Sequence, residues 1–172
     1  LYLAKELIKN TGYEEISLLS LSSGDFSGIG PLLSTLMDRY YARRIALALP
    51  SLRVETLKRE LMDAIARVRK TSFTLAPEAG TQRLRDAINK GNTEQDLLST
   101  AGTVFGAGWR NLKLYFMLGL PTESEADLEG IADLAYKVLG ETRNRGQITI
   151  SLSTFVPKPH TPFQWQRQIG CE

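Results

Sequence analysis

Two hydrophobic periodicities alternate along this chain, and that alternation limits the possible folds more than any other feature. Continuous apolar runs read as strands at Ile16 to Leu21, Ile45 to Leu49, Ser72 to Leu75, Leu112 to Leu118 and Ile148 to Phe155. Between them, apolar residues recur at helical spacing: Ile29 to Tyr41, then Leu57, Leu61, Ala64, Ile65 and Val68, then a brief helix near Gln82 to Asn89. Two longer helices follow, one on Leu97, Leu98, Ala101, Val104 and Phe105, the other on Leu128, Ile131, Ala132, Ala135, Val138 and Leu139. A short helix on Leu3, Leu7 and Ile8 comes first and closes at Gly12, and Thr122 with Glu125 gives a capping-box pattern ahead of the last helix. Strands that are apolar along their length and separated by helices cannot pair as hairpins. The pattern therefore predicts an α/β fold with a five-stranded parallel sheet, strand order 1-2-3-4-5, curved and open with its helices on the convex side.

An open doubly wound sheet and an arc of a β/α barrel both satisfy that pattern. Two features favour the barrel arc. No strand-to-helix turn carries a GxGxxG or P-loop pattern, which weighs against dinucleotide and nucleoside-triphosphate sites. Small and polar residues also gather just after each strand, on the face that carries chemistry in barrels. At 172 residues the chain makes one domain, 1–172, whose edge is marked by Pro157, Pro159 and Pro162. With 42% apolar and 23% charged residues it is globular, and 21 basic against 19 acidic side chains leave a net charge of +2 that does not indicate nucleic acid. No apolar run approaches the roughly 20 residues of a membrane span, and no signal-peptide order is present, so a soluble, cytoplasmic protein is expected. One cysteine (Cys171) and one histidine (His160) exclude a disulfide framework and any multi-thiolate metal site built from this chain alone. The chain opens on Leu1, already in helix, as a piece of a larger protein would.

Each segment after a strand offers a chemical reading and a plainer one. Ser22, Ser23, Gly24 and Asp25 present backbone groups and an acceptor for an amine, or simply form a turn whose Asp caps the next helix. Arg53 places a cation near the same face, or is a solvated helix-start residue. Glu78 sits just ahead of a helix, suited either to the helix dipole or to sugar hydroxyls, and Lys90 at the far end of that helix is a terminal cation or a partner for an anion. Gly119, within Met117 to Glu123, lets a flat ring approach the backbone over an apolar shelf. Phe155 and Val156 leave the last strand as extended chain, and His160 between prolines reads as a surface residue.

Taken in order, these segments form a recognisable set. The stretches Ala76 to Gly91 (APEAGTQRLRDAINKG), Leu114 to Glu123 (LYFMLGLPTE) and Phe155 to Pro162 (FVPKPHTP) resemble the radical S-adenosylmethionine enzymes. The similarity is to the branch holding the MiaB-type methylthiotransferases and oxygen-independent coproporphyrinogen oxidase, and within it to uncharacterised bacterial proteins in which this domain follows a cobalamin-binding domain. The resemblance implies that the arc belongs to an open (β/α)6 partial TIM-like barrel, running from the helix before its second strand to just past its sixth. It implies that Ser22 to Asp25 hold the methionyl amine of S-adenosylmethionine, with Asp25 where many relatives have Glu. Glu78 is then the ribose contact, Lys90 the methionyl carboxylate contact, Gly119 the neighbour of the adenine, and Phe155 with Val156 the backbone contacts to its edge.

The same resemblance implies a four-iron four-sulfur cluster held by a CxxxCxxC loop. That loop is absent here, and its ligands are expected outside this chain, with the first strand and cluster loop missing by truncation; such a fragment is expected to be inactive. The intact protein would reductively cleave S-adenosylmethionine to a 5′-deoxyadenosyl radical acting on an unidentified substrate, with flavodoxin or ferredoxin as reductant and cobalamin in a neighbouring domain. Two other readings stay open on the residues alone: a non-catalytic interaction domain that keeps the fold, and a conventional β/α-barrel enzyme acting on a phosphorylated small molecule.

Overall fold

The computed structural model describes residues 1–18, 26–48, 73–142 and 146–170. Helix α1 (Tyr2–Thr11) stops at Gly12, whose left-handed φ of 71° lets its N–H donate back to the carbonyl of Ile8. Then come β1 (Glu15–Ser17), α2 (Ile29–Tyr40), a 3-10 turn (Tyr41–Arg43), β2 (Ala46–Ala48) and β3 (Phe73–Glu78). The rest is α3 (Gln82–Ala87), α4 (Glu94–Gly106), β4 (Asn111–Leu118), α5 (Glu125–Glu141) and β5 (Gln147–Thr154). The helix expected on Leu57 to Val68 lies outside the described residues, as does the end of each of the first two expected strands.

Every ladder among the described residues is parallel, and within each sheet neighbours follow sequence order: β1 beside β2, and β3, β4, β5 side by side. The expected single five-stranded sheet is not what forms. Among the described residues the strands fall into a two-stranded and a three-stranded sheet, with no ladder joining β2 to β3. The physical reason lies in how the sheets meet: Ile45 and Leu47 reach Leu75, Leu112 and Leu114 through one shared apolar core instead of backbone hydrogen bonds. Periodicity reports that a segment is a strand and that its neighbours run parallel; it does not report which edges come within hydrogen-bonding distance.

Burial alternates along β4. In β4, Leu112, Leu114 and Phe116 are buried while Tyr115 between them is exposed. Their counterparts across the ladder in β5, Ile150 and Leu152, remain exposed at the open edge of the sheet. The covered face is covered by helices whose apolar residues recur at three and four: Leu97, Ala101 and Val104 on α4, and Ile131, Leu134, Ala135 and Val138 on α5. Each leucine so buried stabilises the fold by about 1.5–3 kcal/mol relative to exposure.

Helix starts differ from the sequence reading at one point. The capping box of α5 is Ser124 with Asp127, not Thr122 with Glu125: the N–H and hydroxyl of Ser124 donate to Asp127 Oδ2 at 2.8 and 2.7 Å. Thr122 cannot open the helix because its φ is 68° and it belongs to the turn closed by Glu123 N–H on the carbonyl of Leu120.

A close backbone approach sets the turn after β3 against α5. A Cβ on Gly80 would clash with the backbone nitrogen of Ile131 and the carbonyl oxygen of Asp127, neither of which can move without distorting the helix. Gly80→Ala should therefore lower the unfolding free energy by about 2–3 kcal/mol, as overpacking against backbone does. Denaturant unfolding checks this, and an unchanged midpoint would contradict the close approach.

Candidate functional site

The C-terminal ends of β3, β4 and β5 meet in a second, smaller apolar cluster. Ala79 and Leu84 come from the segment after β3, Leu120 from that after β4 and Phe155 from that after β5, with Met117 and Phe163 packed around them. Three strand-end segments far apart in sequence thus share one base, and Phe155 meets Phe163 edge to face at 6.0 Å.

On this base stand two of the residues singled out from the sequence. Glu78 ends β3 just beyond a register break between Leu75 and Glu78 in the ladder to β4. Its φ is 71°, the left-handed region, which costs a non-glycine residue roughly 1–3 kcal/mol and is a form of strain that clusters at ligand sites. Helix α3 then runs back, and a turn through Asn89 and Gly91, both left-handed, brings Lys90 round so that its Nζ donates to Glu78 Oε1 at 3.1 Å. Both side chains are about a quarter exposed, at 26% and 24%, so the pair is open to solvent and to a ligand.

Gly119 follows β4 with φ 79°. Its N–H donates to Glu123 Oε2 at 2.6 Å, and the space above its Cα is taken by Ile169, whose Cβ lies 2.8 Å from where a glycine Cβ would be. Gly119, Leu120, Glu123, Arg167 and Ile169 line a cleft of about 440 Å³, within the size range of small-ligand pockets. Phe155 is buried and its N–H donates to the carbonyl of Leu118 at 2.8 Å, while Val156 is exposed. The structure thus brings Glu78 to Lys90, and the Gly119 segment to Phe155. Ser22, Ser23, Gly24, Asp25 and Arg53 lie outside the described residues.

Two polar residues that hold this site were not singled out from the sequence. Asp127 is buried beneath the turn after β3, where it accepts from Thr81, Arg83 and Ser124. Burial alone would push its carboxyl up; the hydrogen bonds from Thr81, Ser124 and Arg83 outweigh that and hold it well below the usual carboxylate range. The S-x-x-D spacing from Ser124 to Asp127 was the available signal. Arg85 is 1% exposed, inside α3, and no sequence pattern marks a buried arginine among helix-surface charges. Among the described residues no group of three or more His, Cys, Asp or Glu could hold a metal ion, and the sequence has a single cysteine, so these side chains do not fit an iron–sulfur cluster. No helix of the described residues is long and apolar enough to cross a membrane.

The described residues thus form a parallel α/β domain with an acid and a base joined at the end of β3 and a cleft beside the segment after β4. Residues 1–135 match the radical SAM superfamily, and the chain belongs to it. Members of that superfamily generally combine S-adenosylmethionine with a four-iron four-sulfur cluster for radical chemistry. The chain is also similar to an uncharacterised protein of Methanocaldococcus jannaschii, 35% identical over 164 residues. The match takes in 95% of this chain and 35% of that relative, so the chain spans about a third of the relative's length.

Asp127 supplies a pH test of how the site is held. Its folded pKa lies below the unfolded value of about 3.9, so its contribution is complete above that pH and is lost as pH falls through the lower folded value. Asp127→Asn should lower the unfolding free energy by about 1.5–3 kcal/mol at neutral pH. The gap to the parent should close on acidification below about pH 4, and a gap constant with pH would rule out an ionised Asp127 as its source.

Proposed function

We propose that this chain forms the S-adenosylmethionine-binding part of the catalytic barrel of a radical SAM enzyme. The observation that carries the reading is the Glu78–Lys90 pair at the end of β3, an acid held in a left-handed conformation against a base that reaches it from twelve residues on. A ligand bearing both hydroxyls and a carboxylate suits that pair: the Glu78 carboxylate accepts from ribose hydroxyls, and the Lys90 ammonium donates to the methionyl carboxylate. Ser22, Ser23, Gly24 and Asp25 are assigned to the amine, and Arg53 to the same cofactor. The segment around Gly119 borders the adenine, with Ile169 seated over the Gly119 Cα. Because the Phe155 amide is engaged by Leu118, the Phe155 carbonyl and the Val156 backbone are the groups left for the adenine edge. When bound, S-adenosylmethionine supplies the radical chemistry of the superfamily; this chain's part is to orient it and exclude water.

The cluster ligands, a reductant such as flavodoxin or ferredoxin, and a substrate belong to the intact protein in this reading. So does the finer branch assignment, with its cobalamin-binding neighbour, which rests on the three motifs alone. Glu78→Ala and Lys90→Ala in the intact, cluster-loaded protein should each weaken S-adenosylmethionine binding about ten- to hundredfold, the effect of losing a hydrogen bond to a charged group. Asp25→Ala should do the same if its carboxylate, and not the backbone of Ser23 and Gly24, holds the amine. Equilibrium binding measures this, and unchanged affinity in both Glu78→Ala and Lys90→Ala would remove the assignment.

A further inference from the structure

Arg85 is the most completely buried charged side chain among the described residues, 1% exposed, and no carboxylate there lies within ion-pair distance of it. Its Nη1 donates to the carbonyls of Ala79 at 3.0 Å and Gly80 at 3.2 Å, and its Nη2 to Gln82 Oε1 at 3.1 Å. Among the described residues its Nε has no partner. Burial lowers its pKa, and the nearby charges of Glu94 and Asp86 only partly offset this. For stability alone, an apolar side chain would suit such a position better than a buried cation that forms no ion pair among the described residues.

What Arg85 touches supplies a reason for its presence. Ala79 and Gly80 are the two residues that follow Glu78, and their carbonyls converge on one guanidinium nitrogen. The backbone carbonyl of Arg85 in turn accepts from the N–H of Lys90 at 2.9 Å. Gln82, which receives the other guanidinium nitrogen, carries the hold onward by donating to the carbonyl of Asn92 at 3.2 Å and accepting from the N–H of Glu94 at 3.2 Å. One residue therefore ties the chain leaving Glu78 to the chain entering Lys90, and the loop beyond Lys90 is tied to it through Gln82. A planar fork can bind two adjacent carbonyls and an amide oxygen in fixed directions; a lysine ammonium is a point donor and cannot.

We propose that Arg85 is the positioning residue of this site, setting the spacing between Glu78 and Lys90 so that one ligand meets both. The proposal rests on the functional reading above and adds to it that carboxylate recognition by Lys90 depends on Arg85. The test measures affinity of the intact, cluster-loaded protein for S-adenosylmethionine and for decarboxylated S-adenosylmethionine, in the parent, Arg85→Met, Lys90→Ala and the double variant. In Arg85→Met the preference for the carboxylate-bearing ligand should fall about tenfold, and the double variant should lose no more preference than Lys90→Ala alone, since residues acting as one unit are not additive. Loss of general stability would not alter that ratio of affinities. If Met at this position prevents folding, Arg85→Lys, which keeps the charge without the fork, is expected to lose the preference in the same way. A preference unchanged in the folded Arg85 variant, or losses that multiply in the double variant, would overturn the positioning role while leaving the functional reading intact. A preference unchanged in Lys90→Ala would overturn both.

Discussion

The contact on which the described site depends is the seating of the turn after β3 against α5. Gly80 and Gly130 let two backbones approach closer than any side chain would permit, and Asp127 locks the contact by accepting from Thr81 and Arg83 on one side and Ser124 on the other. A buried carboxylate is stable only when its oxygens are this fully engaged. Once the turn is seated, the direction of α3 follows, and with it the positions of Arg85 and Lys90. Asp127 also serves at the start of α5, so a single side chain fixes both where that helix begins and where the loop beside it rests.

Above that seat, the site combines a compliant layer with a rigid one. The apolar cluster of Ala79, Leu84, Leu120 and Phe155 brings the ends of three strands together without dictating direction. The polar layer supplies direction: Arg85 binds the carbonyls after Glu78, its own carbonyl holds Lys90, and the Gly119 amide is held by Glu123. Strain at Glu78 is tolerated because both neighbouring layers over-determine it, which is the arrangement expected where a ligand must find preset partners. Membership of the radical SAM superfamily gives this arrangement its chemical context.

The elements themselves were largely legible in the sequence. Apolar runs located β4 and β5 to within a residue of each end, and helical spacing located α2, α4 and α5, because burial of one face imposes those periods directly. The start of α5 was misplaced by two residues, since Thr122 with Glu125 and Ser124 with Asp127 both satisfy a capping spacing and only backbone dihedrals separate them. The one-sheet expectation failed for a similar reason: side-chain pattern carries no information on which strand edges meet. Among the candidate residues, Glu78, Gly119 and Phe155 stand at strand ends and Lys90 beyond the following helix, and it was the resemblance of their motifs that singled them out. Arg85 was not singled out, because a charged residue on a short helix reads as solvated until its surroundings are known.

The sequence by itself determined which segments are strands and helices and that the strands run parallel, both consequences of local periodicity. Only the tertiary structure decided that the strands divide into two sheets joined by side-chain packing, that Glu78 and Lys90 form a pair, and that Arg85 and Asp127 are buried beneath them. Those are facts of proximity between residues separated along the chain. They depend on how close two backbones can come and whether each buried polar group finds its partner, and neither condition is written in any one segment.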